Sequence, residues 1–161
     1  MPEPTAADLT LLRESLAVAA RSREGGAHPF GVVVVTADGE VVASFGNNSL
    51  PPDGDPTQHA ELRAVAAAAR VVGAGGMRGS TLYMSAEPCA MCAGAAYWTG
   101  ISRVVYALSE VRLLGITGAH PENPTLALPC REVFARGQRP VEVLGPLIED
   151  EAAAVHVGFW D

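Results

Sequence analysis

The sequence predicts an α/β layered domain built on a mixed β-sheet, and three observations carry that prediction. First, the β-branched runs "GVVVV" (31–35) and "EVVASF" (40–45) flank Ala37-Asp38-Gly39, which is a strong hairpin signal. Second, two further strand-like runs, "STLYMSAE" (80–87) and "RVVYAL" (103–108), alternate with Ala-rich helical stretches, the pattern of parallel strands joined by helices. Third, 161 residues with 48% hydrophobic and 18% charged residues suit one compact domain with a real core, spanning 1–161.

Taken in order, Leu9, Leu12, Leu16 and Ala19/Ala20 recur at helical spacing between Thr5 and Arg23, and Gly25-Gly26 end that helix. The hairpin follows. "LPPDGDP" (50–56) is a loop leading to a helix start, with Thr57 as the expected N-cap. "HAELRAVAAAARVVGAGG" (59–76) then reads as a buried helix closed by its glycines. After the strand at 80–87, a second helix is expected to begin at Pro88, because proline suits a first helical position, and to run to Gly100. Beyond the strand at 103–108, Gly115, Gly118, Pro121, Pro124 and Pro129 break up 109–129, which reads as irregular. A short helix from Arg131 to Arg136, a strand "VEVLG" (141–145) and a helix from Glu149 complete the chain.

The net charge is −7, and every basic residue is arginine. Such a chain offers no broad electrostatic footprint to a polyanion, so small uncharged molecules are expected as ligands rather than nucleic acid. No apolar run reaches the roughly 18 residues of a membrane span, and "MPEPTAADLT" lacks the pattern of a signal peptide. The expected setting is the cytoplasm.

Three cysteines are an odd number, and Cys89 and Cys92 are spaced like metal ligands rather than like a disulfide framework. Residues three apart at a helix start share a face, and the helix N-terminus favours the negative charge of thiolates. Soft sulfur ligands at this spacing suggest zinc. A redox pair would be expected after the first strand, whereas this pair follows the third. A four-cysteine structural site fails on counting, since only Cys130 remains and reads as an ordinary core cysteine. The third ligand is sought in "DPTQHAEL" (55–62), where His59 starts the other Ala-rich helix. Three protein ligands would leave a fourth position for water, the mark of a catalytic zinc. Glu61, two residues on, is placed to hydrogen-bond that water. A lone histidine on such a helix is more often a packed or capping residue. His-x-Glu followed about thirty residues later by Pro-Cys-x-x-Cys reverses that expectation, because this is the zinc deaminase signature.

On these residues, together with "GGAHPFGVVVV" (25–35), "GNN" (46–48) and "LYMSAEPCAMCAGAAYW" (82–98), the chain resembles the cytidine deaminase superfamily. Within it, the likeness is greatest to the bacterial guanine deaminase and nucleoside deaminase branch, over roughly the first two thirds of the chain. The resemblance implies a three-layer cytidine deaminase-like fold, with a five-stranded mixed sheet between helices and zinc at the start of two central helices. It implies a homodimer, in which the C-terminal segment 149–161 is exchanged between subunits and Phe159 and Trp160 are candidate lid residues. It also implies hydrolytic release of ammonia from an aminated ring, with Glu61 shuttling the protons. Asn47 would hydrogen-bond the base edge, Phe30 would stack on the ring, and Trp98 would line the pocket.

Guanine deaminases carry a further acidic residue shortly after the fourth strand. By a gapless count Arg112 stands there, with Glu110 two residues earlier as its substitute if the loop shifts. Candidate substrates are therefore guanine or another aminopurine, a cytosine derivative, or an s-triazine. Two other readings are a tRNA adenosine deaminase and a zinc-bearing scaffold without turnover. The first shares the motif but is disfavoured by the acidic "LIEDEAAAVHVGFWD" (147–161), and the second by an intact Glu61 and no evident fourth protein ligand.

Overall fold

The computed structural model describes residues 2–161. Among these, the elements in chain order are α1 (Ala6–Glu24), β1 (Gly31–Val35), β2 (Val41–Gly46), α2 (Ala60–Met77), β3 (Thr81–Ala86), α3 (Ala90–Thr99), β4 (Arg103–Leu108), α4 (Glu110–Thr117), α5 (Cys130–Ala135), β5 (Glu142–Leu144) and α6 (Glu149–Ala154). The five strands form one sheet in the order β2-β1-β3-β4-β5. β1 pairs antiparallel with both β2 and β3, and β3–β4 and β4–β5 are parallel.

The period-2 alternation of side chains sorts the central strands onto two cores. Val32, Val34, Leu82 and Met84 face α2, α3 and α5, while Val33, Val35, Tyr83 and Val105 face α1, α4 and α6. Both faces of β1 are covered, so its five residues are all buried and read as a continuous apolar run. α1 lies so close to the sheet that a Cβ on Gly31 would collide with the backbone of Ser15 and Ala19.

The sequence reading needs four adjustments. α3 starts at Ala90, with Cys89 as its N-cap, so Pro88 lies just outside the helix. The N-cap of α2 is His59. Thr57 instead closes a turn, its N–H and hydroxyl both donating to Asp55. α2 is interrupted at Gly73, whose φ of 63° is left-handed, and becomes helical again as far as Met77. The stretch 109–129 is not wholly irregular, because α4 occupies its first third. Ser109 caps α4 by accepting from the Arg112 N–H, and Leu113 anchors it in the core. A cap plus a buried leucine outweigh the cost of about 1 kcal/mol for Gly115 inside the helix.

The α1 face is pinned by a buried polar cluster. Asp8 completes a capping box with Thr5 and also accepts from the Tyr83 hydroxyl (2.8 Å) and from Arg103 (2.6 and 3.1 Å). The Arg103 guanidinium is the main reason that the Asp8 carboxyl is held well below the usual carboxylate range. Asp8→Ala is expected to cost about 3 kcal/mol, because it leaves Arg103 and Tyr83 without their shared acceptor. At roughly 2–4 °C per kcal/mol, the melting temperature should fall by about 6–12 °C. The unfolded chain takes up this proton at higher pH than the folded one. The stabilisation is therefore complete at neutral pH and is lost as pH falls below about 4. Thermal melts of both proteins across that range should converge at low pH.

Candidate active site

The two helix N-termini expected to meet do meet. His59 and Cys89 are the N-caps of α2 and α3, and both have extended backbones and no side-chain bond to their own helix. A cap residue ordinarily spends its side chain on the first helical N–H groups. Here the imidazole and the thiol are left free, and His59 Nδ1 lies 3.7 Å from Cys89 Sγ. Cys92, one turn into α3, brings its buried sulfur to the same point. The three donor atoms lie within 4.8 Å of one another, the one such cluster among the described residues. A tetrahedral zinc with sulfur at about 2.3 Å and nitrogen at about 2.0 Å needs its ligands about 3.5–3.8 Å apart. One imidazole nitrogen and two sulfurs at this spacing fit that ion.

The electrostatics of the triad suit a cation. Cys89 is pushed down to about 4, first by a hydrogen bond from Cys92 and then by one with His59, against the opposing effect of burial. Cys92 is pushed strongly up, first by its hydrogen bond to Cys89, then by burial and by the charge of Glu61, to whose Oε2 its sulfur donates at 3.6 Å. The bond to Cys89 raises His59. Glu61 is raised chiefly by burial, with the His59 charge opposing. Burial thus makes this carboxyl a stronger proton acceptor than an exposed glutamate.

Beside the triad opens a cavity of about 640 Å³. His59, Glu61 and Cys89 form its floor, and Phe30 and Asn47 line one side. Glu110, the first residue of α4, faces it from another side. Burial, followed by the negative charges of Glu87, Cys89 and Glu61, pushes Glu110 up to about 7. Glu87 is the structural keystone here. Its carboxylate accepts from the N–H groups of Glu110 and Cys130 (both 3.0 Å), tying the starts of α4 and α5 to the end of β3. Cys130 itself is fully buried in the core.

Trp98 is not part of the site. It stands 86% exposed and does not line the cavity, because Cys92, Ala93 and Ala96 form the inward face of α3 and a residue two beyond Ala96 points outward. Phe159 and Trp160 do not line the cavity either. Trp160 packs behind it, 5.0 Å from the His28 ring centroid, and its Nε1–H donates to His156 (3.0 Å). The opposite wall is made by Pro121, Glu122, Asn123, Pro124, Thr125 and Leu126, within the proline-broken stretch 109–129, and His28 meets it. Sequence reasoning points to that stretch as the place where specificity is set but assigns no role to these residues or to His28. "AHPFG" did contain His28, but only its neighbour Phe30 was given a role.

A three-layer α/β domain that gathers an imidazole, two thiols and a buried carboxyl at the floor of a cavity defines a class, the zinc-assisted hydrolases. Residues 5–108 match the family model of the cytidine and deoxycytidylate deaminase zinc-binding region, and the chain belongs to that family. It is therefore a deaminase, a hydrolase acting on amidines, with zinc as its cofactor. Among its relatives, a probable cytosine deaminase of Schizosaccharomyces pombe is 44% identical over 96% of this chain and 93% of that protein. The guanine deaminase of Bacillus subtilis is 40% identical over 61% and 62% of the two chains. A solved tRNA:A34 deaminase superposes with a TM-score of 0.69 at 27% identity, covering 91% of this chain and 99% of the other. The three-layer architecture and five-stranded sheet agree with this family fold. No helix of the described residues is long and apolar enough to cross a membrane.

Proposed function

We propose that this protein hydrolyses the exocyclic amine of a free aminated nucleobase, of the cytosine or guanine type, or of a related heterocycle such as an s-triazine. The observation that carries the reading is the Glu61 carboxyl buried beside the His59, Cys89 and Cys92 donors at the floor of a cavity with room for a heterocyclic ring. The full-length likeness to a protein named as a probable cytosine deaminase supports it. His59, Cys89 and Cys92 would hold the zinc, which when bound makes water a competent nucleophile near neutral pH. Glu61 takes one proton from the attacking water and delivers it to the ring nitrogen, then takes the second from the hydroxyl now on the ring carbon and passes it to the departing amine. The net change converts N=C–NH2 to HN–C=O, with one water consumed and one ammonia released. Phe30 packs on the ring, and Asn47 and Glu110 hydrogen-bond its edges.

The tRNA reading has a structural relative in its favour, but the charge distribution opposes it. The tail carries Glu149, Asp150, Glu151 and Asp161 without a single basic residue, and the net charge is −7. An RNA-gripping surface would need the reverse. A scaffold without turnover is disfavoured by the Glu61 geometry. Ammonia release from zinc-loaded protein decides among them, using cytosine, guanine, other aminopurines, triazines, the matching nucleosides and an adenosine-bearing anticodon stem-loop. Turnover of a free ring supports the proposal, whereas turnover of the stem-loop alone, or of nothing, overturns it.

We also infer a homodimer, supported by large apolar side chains left at the surface, including Trp98, Val71 (70% exposed) and Val111 (81% exposed). The tail 149–161 packs on its own domain through Arg13–Glu151 (2.9 Å) and Arg23 donating to the Val155 carbonyl (2.8 Å). In an exchanged dimer the same contacts would be made between subunits. All three cysteines are free, which suits the reducing cytoplasm.

A further inference from the structure

His28 touches the tail and the 121–126 wall, and it lines the cavity. Its ring is held between Trp160 (centroids 5.0 Å apart) and Phe159 (5.9 Å). Nε2 lies 2.8 Å from Glu122 Oε2, and since a carboxylate only accepts, this nitrogen carries the hydrogen. Both residues line the cavity, and their contact joins the loop before β1 to the 121–126 wall. The imidazole is almost fully buried, whereas the Glu122 side chain is about half exposed.

On the other edge of the ring, Nδ1 lies 3.4 Å from the Ser49 hydroxyl. Ser49 in turn fixes Asn47. Its backbone N–H (2.9 Å) and its hydroxyl (2.8 Å) both donate to Asn47 Oδ1. A backbone N–H cannot accept, so the atom facing it is the amide oxygen and not the nitrogen. Nδ2 is therefore the end of Asn47 left for the cavity, and it can only donate.

We propose that Ser49, His28 and Glu122 are positioning residues. The Glu122–His28 pair straps the 121–126 wall across the bound ring. Ser49 locks the Asn47 amide with its N–H groups inward, so that the site selects rings bearing a carbonyl oxygen as hydrogen-bond acceptor beside the amidine. The selection rests on the reading of Asn47 as a ring contact, while the strap stands on its own geometry. A site built to hydrogen-bond a ring group rejects the analogue that lacks it far more strongly than an apolar pocket rejects a missing methylene.

The test uses full-length, zinc-loaded protein and the ring pair cytosine and 4-aminopyrimidine, the second of which lacks the 2-oxo acceptor and has an unprotonated N1 in place of N1–H. Ser49→Ala should shrink the wild-type preference for cytosine by at least about fivefold, and Ser49→Thr should restore it. Glu122→Ala should raise KM at least about fivefold while leaving kcat within about twofold, and Glu122→Gln, which still accepts from His28, should recover most of the loss.

Two readouts need no turnover. Hydrogen exchange of the Asn123 amide, which donates to the His120 carbonyl within the wall, should quicken by at least about tenfold in Glu122→Ala. The order parameter of the Asn47 side-chain amide should fall from near 0.85 towards about 0.6 in Ser49→Ala. Ser49→Ala losing activity equally on both rings, or Glu122→Ala losing it through kcat alone, overturns the positioning roles. So do unchanged exchange and an unchanged order parameter. If the wild type releases ammonia from no ring, the nucleobase reading fails, and the strap and lock are judged on these last two measurements alone.

Discussion

Glu61→Ala is expected to retain one zinc per chain and to lose at least about 10³-fold in ammonia release, within the range that a positioned proton carrier contributes. The residue sits in the first turn of α2, two positions after His59, so its carboxyl lies beside the three metal donors without being one of them. Burial raises its proton affinity. It can therefore hold the proton taken from water until the ring nitrogen accepts it. Metal content by atomic absorption and turnover on the same sample separate the possible outcomes. Retained zinc with lost activity assigns the shuttle to Glu61. Near wild-type turnover removes it from the mechanism, and loss of zinc makes its bond to Cys92 a structural one. Glu61→Gln keeps the shape but cannot carry the proton, and should match the alanine variant.

The second large effect is on stability. Cys92→Ala should abolish zinc binding, because an imidazole and one thiol are too few to hold the ion at its ordinary geometry. An ion present at about a thousand times its dissociation constant stabilises the folded state by about 4 kcal/mol. For a domain of this size that corresponds to roughly 8–16 °C in melting temperature. Wild-type protein stripped by a chelator should melt close to Cys92→Ala, and added zinc should rescue only the wild type. Cys130→Ser serves as the contrast. That thiol is pushed up to about 12, by burial first and then by Glu87, and it lies away from the metal donors. Its substitution should leave zinc content unchanged. If Cys130→Ser lost zinc while Cys92→Ala kept it, the ligand set would be wrong.

The part of the site that could be read early consists of residues close together in the chain. His59 with Glu61, and Cys89 with Cys92, each lie within one helical turn. Their chemistry depends on local backbone geometry that a short pattern specifies. The strands were legible for a related reason. β-branched runs such as Val32–Val35 and Val104–Val105 are buried on both faces and leave an unbroken apolar signature. α4 was hidden because Gly115 and the prolines beyond it carried more weight locally than the Ser109 cap and the buried Leu113. Trp98 was misplaced because an aromatic at the end of a site helix gives no hint of which face it occupies. That face is set by how α3 rotates to bury Ala93 and Ala96.

The sequence by itself determined the α/β alternation, the His59, Cys89 and Cys92 cluster and the family, and it pointed to Glu61 as the proposed proton carrier, all of which rest on propensity and spacing within single elements. Only the tertiary structure decided what surrounds them. His28 and Glu122 are 94 positions apart, and no local preference brings them within 2.8 Å. Their contact depends on Glu87 anchoring α4 and α5, on the wall that runs between those helices, and on the tail aromatics packing behind His28. The shape and donor pattern of the cavity follow from long-range packing, whose loop-closure entropy is offset only once the whole core has formed.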